Sequence, residues 1–76
     1  MTLTDADIRE AIRKTVLNVD AASIAADSDF YDVGIDSLDH SSILLELQER
    51  HNLSVPDDQL AACRSIQGIL KYAASH

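Results

Sequence analysis

The sequence predicts an all-α domain: a small bundle of three main helices plus one short helix, with a long ordered loop between the first and second. Three observations predict it. Apolar residues recur at helical spacing in three separate segments. Residues that cap helix starts (Thr4, Asp36 and Ser65) stand just ahead of those segments. Pro56 falls where the second pattern fades, and proline disfavours helical geometry in the residue before it. A chain of 76 residues has room for one modest core, so residues 1–76 are read as a single domain.

The first helix is expected from about Thr4, where Thr4 and Asp7 have the spacing of a capping box. Its apolar stripe is Ile8, Ala11, Ile12, Val16 and Val19, with Thr15 inside it and Arg9, Glu10, Arg13 and Lys14 mostly outside. Residues 20–36 carry no sustained period. A loop of that length inside a small domain is normally either functional or disordered. Ile24, Phe30, Tyr31, Val33 and Ile35 argue for order, because they can pin the loop across the helix ends. Gly34 is placed to allow a tight turn before the next element.

The second helix starts at Asp36 or Ser37, with Asp36 as N-cap and Asp39 adding negative charge near the positive end of the dipole. A helical wheel puts Ile43, Leu44 and Leu47 on one broad arc, together with Ser41 and His51. Leu38, Asp39, Ser42, Glu46 and Glu49 occupy the opposite arc, an acidic stripe with an exposed leucine. His40 is read as a surface residue beside that stripe. Residues 57–61 make a short helical turn, and Ser65 caps a last helix with Ile66, Ile69, Leu70 and Ala73 in its stripe. Lone Cys63 is read as a small, partly buried residue before that helix.

Composition narrows the function. Asp and Glu number 13 against 6 Lys and Arg, a formal net charge of −7. Asp20, Asp27, Asp29, Asp32, Asp36 and Asp39 fall in a stretch with no Lys or Arg. Such a field disfavours nucleic acid and anionic lipid and favours proteins with basic patches, although a plain solvated surface would look the same. A single cysteine excludes an internal disulfide, and no zinc-type Cys/His spacing exists. No apolar run approaches the length needed to span a bilayer, and the amino end lacks the pattern of a secretion signal. A cytoplasmic, free-standing monomer is expected. A domain this small leaves little room for a deep substrate pocket, so an autonomous enzyme is disfavoured.

The chemistry concentrates in Gly34-Ile35-Asp36-Ser37-Leu38. A serine in the first turn of a helix points its hydroxyl outward. Free backbone N–H groups and partial positive charge there favour a phosphate ester on that oxygen. Residues Asp32 to Asp39 resemble the attachment motif of the acyl carrier protein family. The resemblance extends over almost the whole chain, including the long loop, the Val55-Pro56-Asp57 step and the closing amphipathic helix.

That resemblance implies a covalent 4'-phosphopantetheine arm on Ser37, added by a phosphopantetheinyl transferase from coenzyme A with Mg²⁺. Asp36 matches the acid that helps place the metal during transfer. Leu38 and Asp39 match positions that meet partners, and the stripe continues through Glu46 and Glu49. The arm's thiol would hold acyl groups as thioesters. It would deliver them to acyl-transferring or condensing enzymes with basic patches, in fatty-acid, polyketide or related lipid biosynthesis. Ser42 and Gln48 stand where many fatty-acid carriers have glutamates, which thins the docking face. With Ser41 and His51 on the core arc, a specialised carrier of short or polar cargo is expected.

Rival readings differ in class. An aminoacyl or peptidyl carrier usually has histidine before the serine, where this chain has Asp36. An unmodified acidic interaction domain fits the same composition. A nucleophile built from Ser37 and His40 lacks a third residue to orient the histidine. A calcium loop starting at Asp27 or Asp29 fails in register at Asp32 or at Tyr31, Val33 and His40.

Overall fold

The computed structural model describes residues 3–75. In order it contains α1 (Asp5–Thr15), 3₁₀ turns at Ala21–Ser23 and Phe30–Val33, α2 (Ser37–His51), a 3₁₀ helix at Asp57–Cys63 and α3 (Ile66–Ser75). The all-α class holds, with the added finding that the long loop contains two short turns of helix.

Each start has a local cause. Thr4 and Asp7 form the expected reciprocal box, Asp7 N–H donating to Thr4 Oγ1 at 3.2 Å and Thr4 N–H to Asp7 Oδ2 at 3.0 Å. Three of the loop acids are caps as well. Asp20 accepts from Ala22 N–H, Asp29 from Tyr31 N–H, and Asp36 from Asp39 N–H, so carboxylates open both short turns and α2. Ser65 Oγ accepts from Gly68 N–H at 2.9 Å in the first turn of α3. The first apolar stripe runs past its helix: α1 ends at Thr15, Val16 is extended and buried, and Val19 is only half-buried.

The core gathers Ile8, Ile12 and Val16 from the first segment, Ile24, Phe30 and Ile35 from the loop, Ile43 and Leu47 from α2, and Cys63, Ile66 and Ile69 from the last. The loop is therefore ordered by apolar anchors, as expected. It is also tied by polar bonds the apolar pattern does not announce. Arg9 donates to the carbonyls of Ala21 and Ile24, holding the first short turn against α1. Phe30 N–H donates to the Arg64 carbonyl at 2.7 Å and Gln67 N–H to the Ala26 carbonyl at 2.8 Å.

Two positions on α2 differ from the wheel reading, and a third reverses it. Ser41 is exposed and His51 half-buried, whereas His40 is 3% exposed. At about 100° per residue His40 falls inside the arc spanned by Ile43, Leu47 and Leu44, so the buried arc is centred on it. Its ring is fully bonded, Nε2 to the Cys63 carbonyl at 2.8 Å and Nδ1 to the Tyr31 hydroxyl at 3.1 Å. A carbonyl only accepts, so Nε2 carries a proton, and in the neutral ring Tyr31 donates to Nδ1. Cys63 is fully buried rather than partly so, and burial pushes its thiol pKa up, which keeps it protonated and inert.

The two glycines serve different needs. Gly34 has φ +95° and faces open space, whereas a Cβ on Gly68 would lie 2.3 Å from the Ala62 carbonyl oxygen. Gly34→Ala should lose about 1 kcal/mol, from left-handed backbone alone. Gly68→Ala should lose about 3 kcal/mol, because backbone must move. Urea unfolding of both variants checks the order.

His40→Ala leaves the Cys63 carbonyl buried without a donor and opens a void, an expected loss of about 2–4 kcal/mol in the same assay. Asp7 has its pKa lowered from 3.8, chiefly by the hydrogen bonds from Thr4. Its contribution is present above the ordinary value and lost as pH falls through the lowered one. Asp7→Asn should therefore narrow the gap between urea midpoints measured at neutral pH and in acid.

Candidate functional site at the start of the second helix

Ser37 occupies the first turn of α2 and is exposed. Its position follows from the segment before it. The Phe30–Val33 turn closes on Gly34, whose positive φ reverses the chain. Ile35 then sinks into the core at 1% exposure, with its N–H on the Phe30 carbonyl at 3.0 Å. A buried residue two places before Ser37 and the cap at Asp36 fix where the helix begins. Ser37 thereby stands on a rigid base with its hydroxyl at the surface.

The donors of the first turn are partly used. Asp39 N–H goes to Asp36 Oδ1 at 2.8 Å and His40 N–H to the Asp36 carbonyl at 2.9 Å. The N–H groups of Ser37 and Leu38 have no acceptor among the described residues. They and the helix dipole favour an anion on Ser37, while the Asp36 and Asp39 carboxylates oppose it. Asp36 Oδ2 accepts no hydrogen bond among the described residues, which leaves one oxygen of that carboxylate for a cation. The hydroxyl and the open N–H groups fit a phosphodiester, and a divalent cation on Asp36 would relieve the opposing charge.

The other site candidates lie along α2. Leu38 is 75% exposed, and Leu45, seven residues on and absent from the sequence-based set, is 55% exposed. Glu49 is exposed, whereas Asp39, Ser42 and Glu46 are half-buried, and Glu46 is paired with Arg50. Leu45 was legible on the wheel, where it falls close to Leu38. The acidic stripe is therefore interleaved with two leucines rather than one.

Ser37 has no catalytic partner in His40. Both imidazole nitrogens are engaged, with Tyr31 and Cys63, on the core side of the helix. That placement removes the basis for a Ser37–His40 nucleophile. No group of three or more His, Cys, Asp or Glu residues able to hold a metal exists among the described residues. No helix among them is long and apolar enough to cross a membrane.

Beside Ser37 lies a surface cleft of about 310 Å³ lined by Tyr31, Gly34, Ile35, Asp36 and Ser37. Tyr31 forms its aromatic wall. The Arg64 guanidinium sits 4.4 Å from the Tyr31 ring centroid and is paired with Asp29 at 3.0 Å. The Tyr31 and His40 rings meet edge to face at 5.6 Å.

A family described as the phosphopantetheine attachment site matches residues 6–73, nearly the whole chain. An acyl carrier protein of Helicobacter pylori (strain J99 / ATCC 700824) is 34% identical over 64 residues, 83% of this chain and 82% of the relative. An acyl carrier protein of Sulfurovum sp. (strain NBC37-1) is 34% identical over 73 residues, 95% of both chains. The mitochondrial acyl carrier protein of Saccharomyces cerevisiae is 31% identical over 71 residues, 92% of this chain and 57% of the relative. With a family match that covers the exposed serine, its cap, all of α2 and most of α1 and α3, this chain belongs to the acyl carrier protein family, whose phosphopantetheine-bearing domains are carriers rather than enzymes.

Proposed function

We propose that Ser37 is the residue that bears the 4'-phosphopantetheine arm, and that the chain carries acyl groups between enzymes. The observation that carries this reading is the exposed Ser37 hydroxyl in the first turn of α2, beside two backbone N–H groups free to receive phosphate oxygens. Once attached, the arm supplies a thiol that holds cargo as a thioester, with the carbonyl activated for transfer or condensation.

The chain's own residues prepare that attachment. The Asp36 cap and the buried Ile35 hold Ser37 in place for a phosphopantetheinyl transferase that uses coenzyme A and Mg²⁺. One Asp36 oxygen holds the helix start while the other remains open to the metal. Leu38 and Leu45 offer apolar contact, flanked by Asp39, Glu46 and Glu49, to enzymes whose basic patches match the acidic face. The net charge of −7 supports this choice of partner and speaks against nucleic acid.

The pathway is proposed as fatty-acid, polyketide or related specialised lipid biosynthesis, in the cytoplasm, with the chain acting as a single monomeric domain. Short or polar cargo is part of the same proposal, and the thinner docking face at Ser42 and Gln48 supports it. Ser41 is exposed and His51 half-buried, and the fully buried polar residue among those described is His40, whose ring nitrogens are already satisfied. Among the described residues the buried side-chain polar atom without a hydrogen-bond partner is Arg64 Nε, on a half-buried side chain.

Incubation with coenzyme A and a phosphopantetheinyl transferase should add the arm's mass to the wild type and nothing to Ser37→Ala. A wild-type chain that gains no mass would sink the reading in favour of an unmodified interaction domain. Asp36→Asn separates the two duties of the cap. Asparagine caps as well as aspartate, so the variant should unfold at an unchanged urea midpoint. Its loading should be about 10- to 100-fold slower, because the charge that places the metal is gone.

A further inference from the structure

We infer that the cleft walled by Tyr31 is the resting subsite of the arm's first, apolar segment. The inference rests on Ser37 as the attachment point and adds what the arm does next. Ser37 itself lines the cleft, so anything tethered to its oxygen begins there. Next to its phosphate, a phosphopantetheine arm carries a carbon with two methyl groups, only a few bonds from the serine oxygen. Its amides and thiol lie further out. The part of the arm that gains from leaving water is therefore the part that cannot travel far from Ser37.

The cleft offers that part a prepared surface. Beside Ser37 it is lined by Tyr31, Gly34, Ile35 and Asp36, so Tyr31 and the bare Gly34 backbone supply its apolar side and Asp36 its polar edge. Gly34 leaves the space open, since even a Cβ there would meet nothing within 4 Å. Tyr31 is 40% exposed yet held from several sides. Its hydroxyl bonds His40 Nδ1, its ring packs against the His40 ring, the Arg64 guanidinium lies over it, and its N–H is fixed by Asp29. Asp29 also grips Arg64, so one acid holds both the Tyr31 backbone and the cation over its ring.

An exposed aromatic ring normally keeps rotamer freedom that binding must remove. Here the surrounding contacts have already removed it, which favours an occupant of modest apolar area. The subsite would lay the start of the arm along the loop side of Ser37, away from Leu38 and Leu45. The docking face then stays clear while the thiol end extends into solvent.

The test uses the whole chain loaded from coenzyme A, with intact mass confirming the arm on Ser37. Loading releases adenosine 3',5'-bisphosphate, so the reference is free 4'-phosphopantetheine: in proton NMR the two geminal methyl signals should move upfield and separate relative to it, with nuclear Overhauser contacts to the Tyr31 ring protons. Tyr31→Leu, verified as folded by circular dichroism and loaded by mass, should return both signals to the positions of free 4'-phosphopantetheine. Tyr31→Phe keeps the ring and should retain the upfield shift. A loaded wild type whose methyl signals coincide with those of free 4'-phosphopantetheine would overturn the subsite and leave the attachment reading intact. A wild type that cannot be loaded would overturn both.

Discussion

The hydrogen bond from His40 Nε2 to the Cys63 carbonyl is the constraint on which the arrangement around Ser37 depends. A small helical domain joins its elements mainly through apolar contacts, and those tolerate sliding. A buried imidazole does not, because any shift that breaks its bonds leaves polar atoms without water or partner. His40 lies one turn after Ser37, so this bond sets the rotation of α2 about its own axis as well as its position. The neighbouring Arg64 carbonyl meanwhile takes the Phe30 N–H. Two consecutive carbonyls at the close of the 3₁₀ helix thus hold the serine-bearing helix and the loop that leads into it.

Seen from the loop, the same anchor explains how a segment without periodicity stays ordered. Ile24, Phe30 and Ile35 supply burial, but burial alone does not choose a backbone path. The path is set by Arg9 at one end and by the residues around Arg64 at the other. Asp20, Asp29 and Asp36 then start each turn. Half of the acids clustered in this stretch are therefore structural, and the cluster cannot be read wholly as a surface for basic partners. The acids left for recognition are fewer, and along α2 they alternate with leucines.

How much of this was legible in the chain depends on the range of the interaction. The caps, the stripes of α1 and α3, the turn at Gly34 and the start of α2 are local, and the residues that cause them lie within a few positions of each other. Ser37 was legible for the same reason. His40 was misread because a histidine beside acids looks solvated, and its partner Cys63 lies 23 residues away. A wheel centred on Ile43, Leu44 and Leu47 would have enclosed it and pushed Ser41 out. Arg9 and Tyr31 were harder. Each acts through carbonyls or rings supplied by another segment, and no spacing rule announces such partners. Tyr72, buried on α3 and donating to the Ser54 carbonyl, belongs with them.

Ser37 stands where these two kinds of surface meet. Successive residues of a helix point about 100° apart, so Leu38 and Asp39 turn outward while His40 turns into the core within the same turn. The inward side is immobilised through polar bonds to two other segments, and the outward side contributes almost nothing to the core. A partner that docks on Leu38 and Leu45 therefore need not disturb the packing that holds Ser37. The charge at the site follows the same division. The dipole and the open N–H groups favour an anion on the serine oxygen, whereas Asp36 and Asp39 resist one unless a cation is present. An arm once attached stays through its covalent bond, so that resistance acts mainly on the approach of the phosphate. On the proposed role of Ser37, a transferase that brings a metal would lift that resistance.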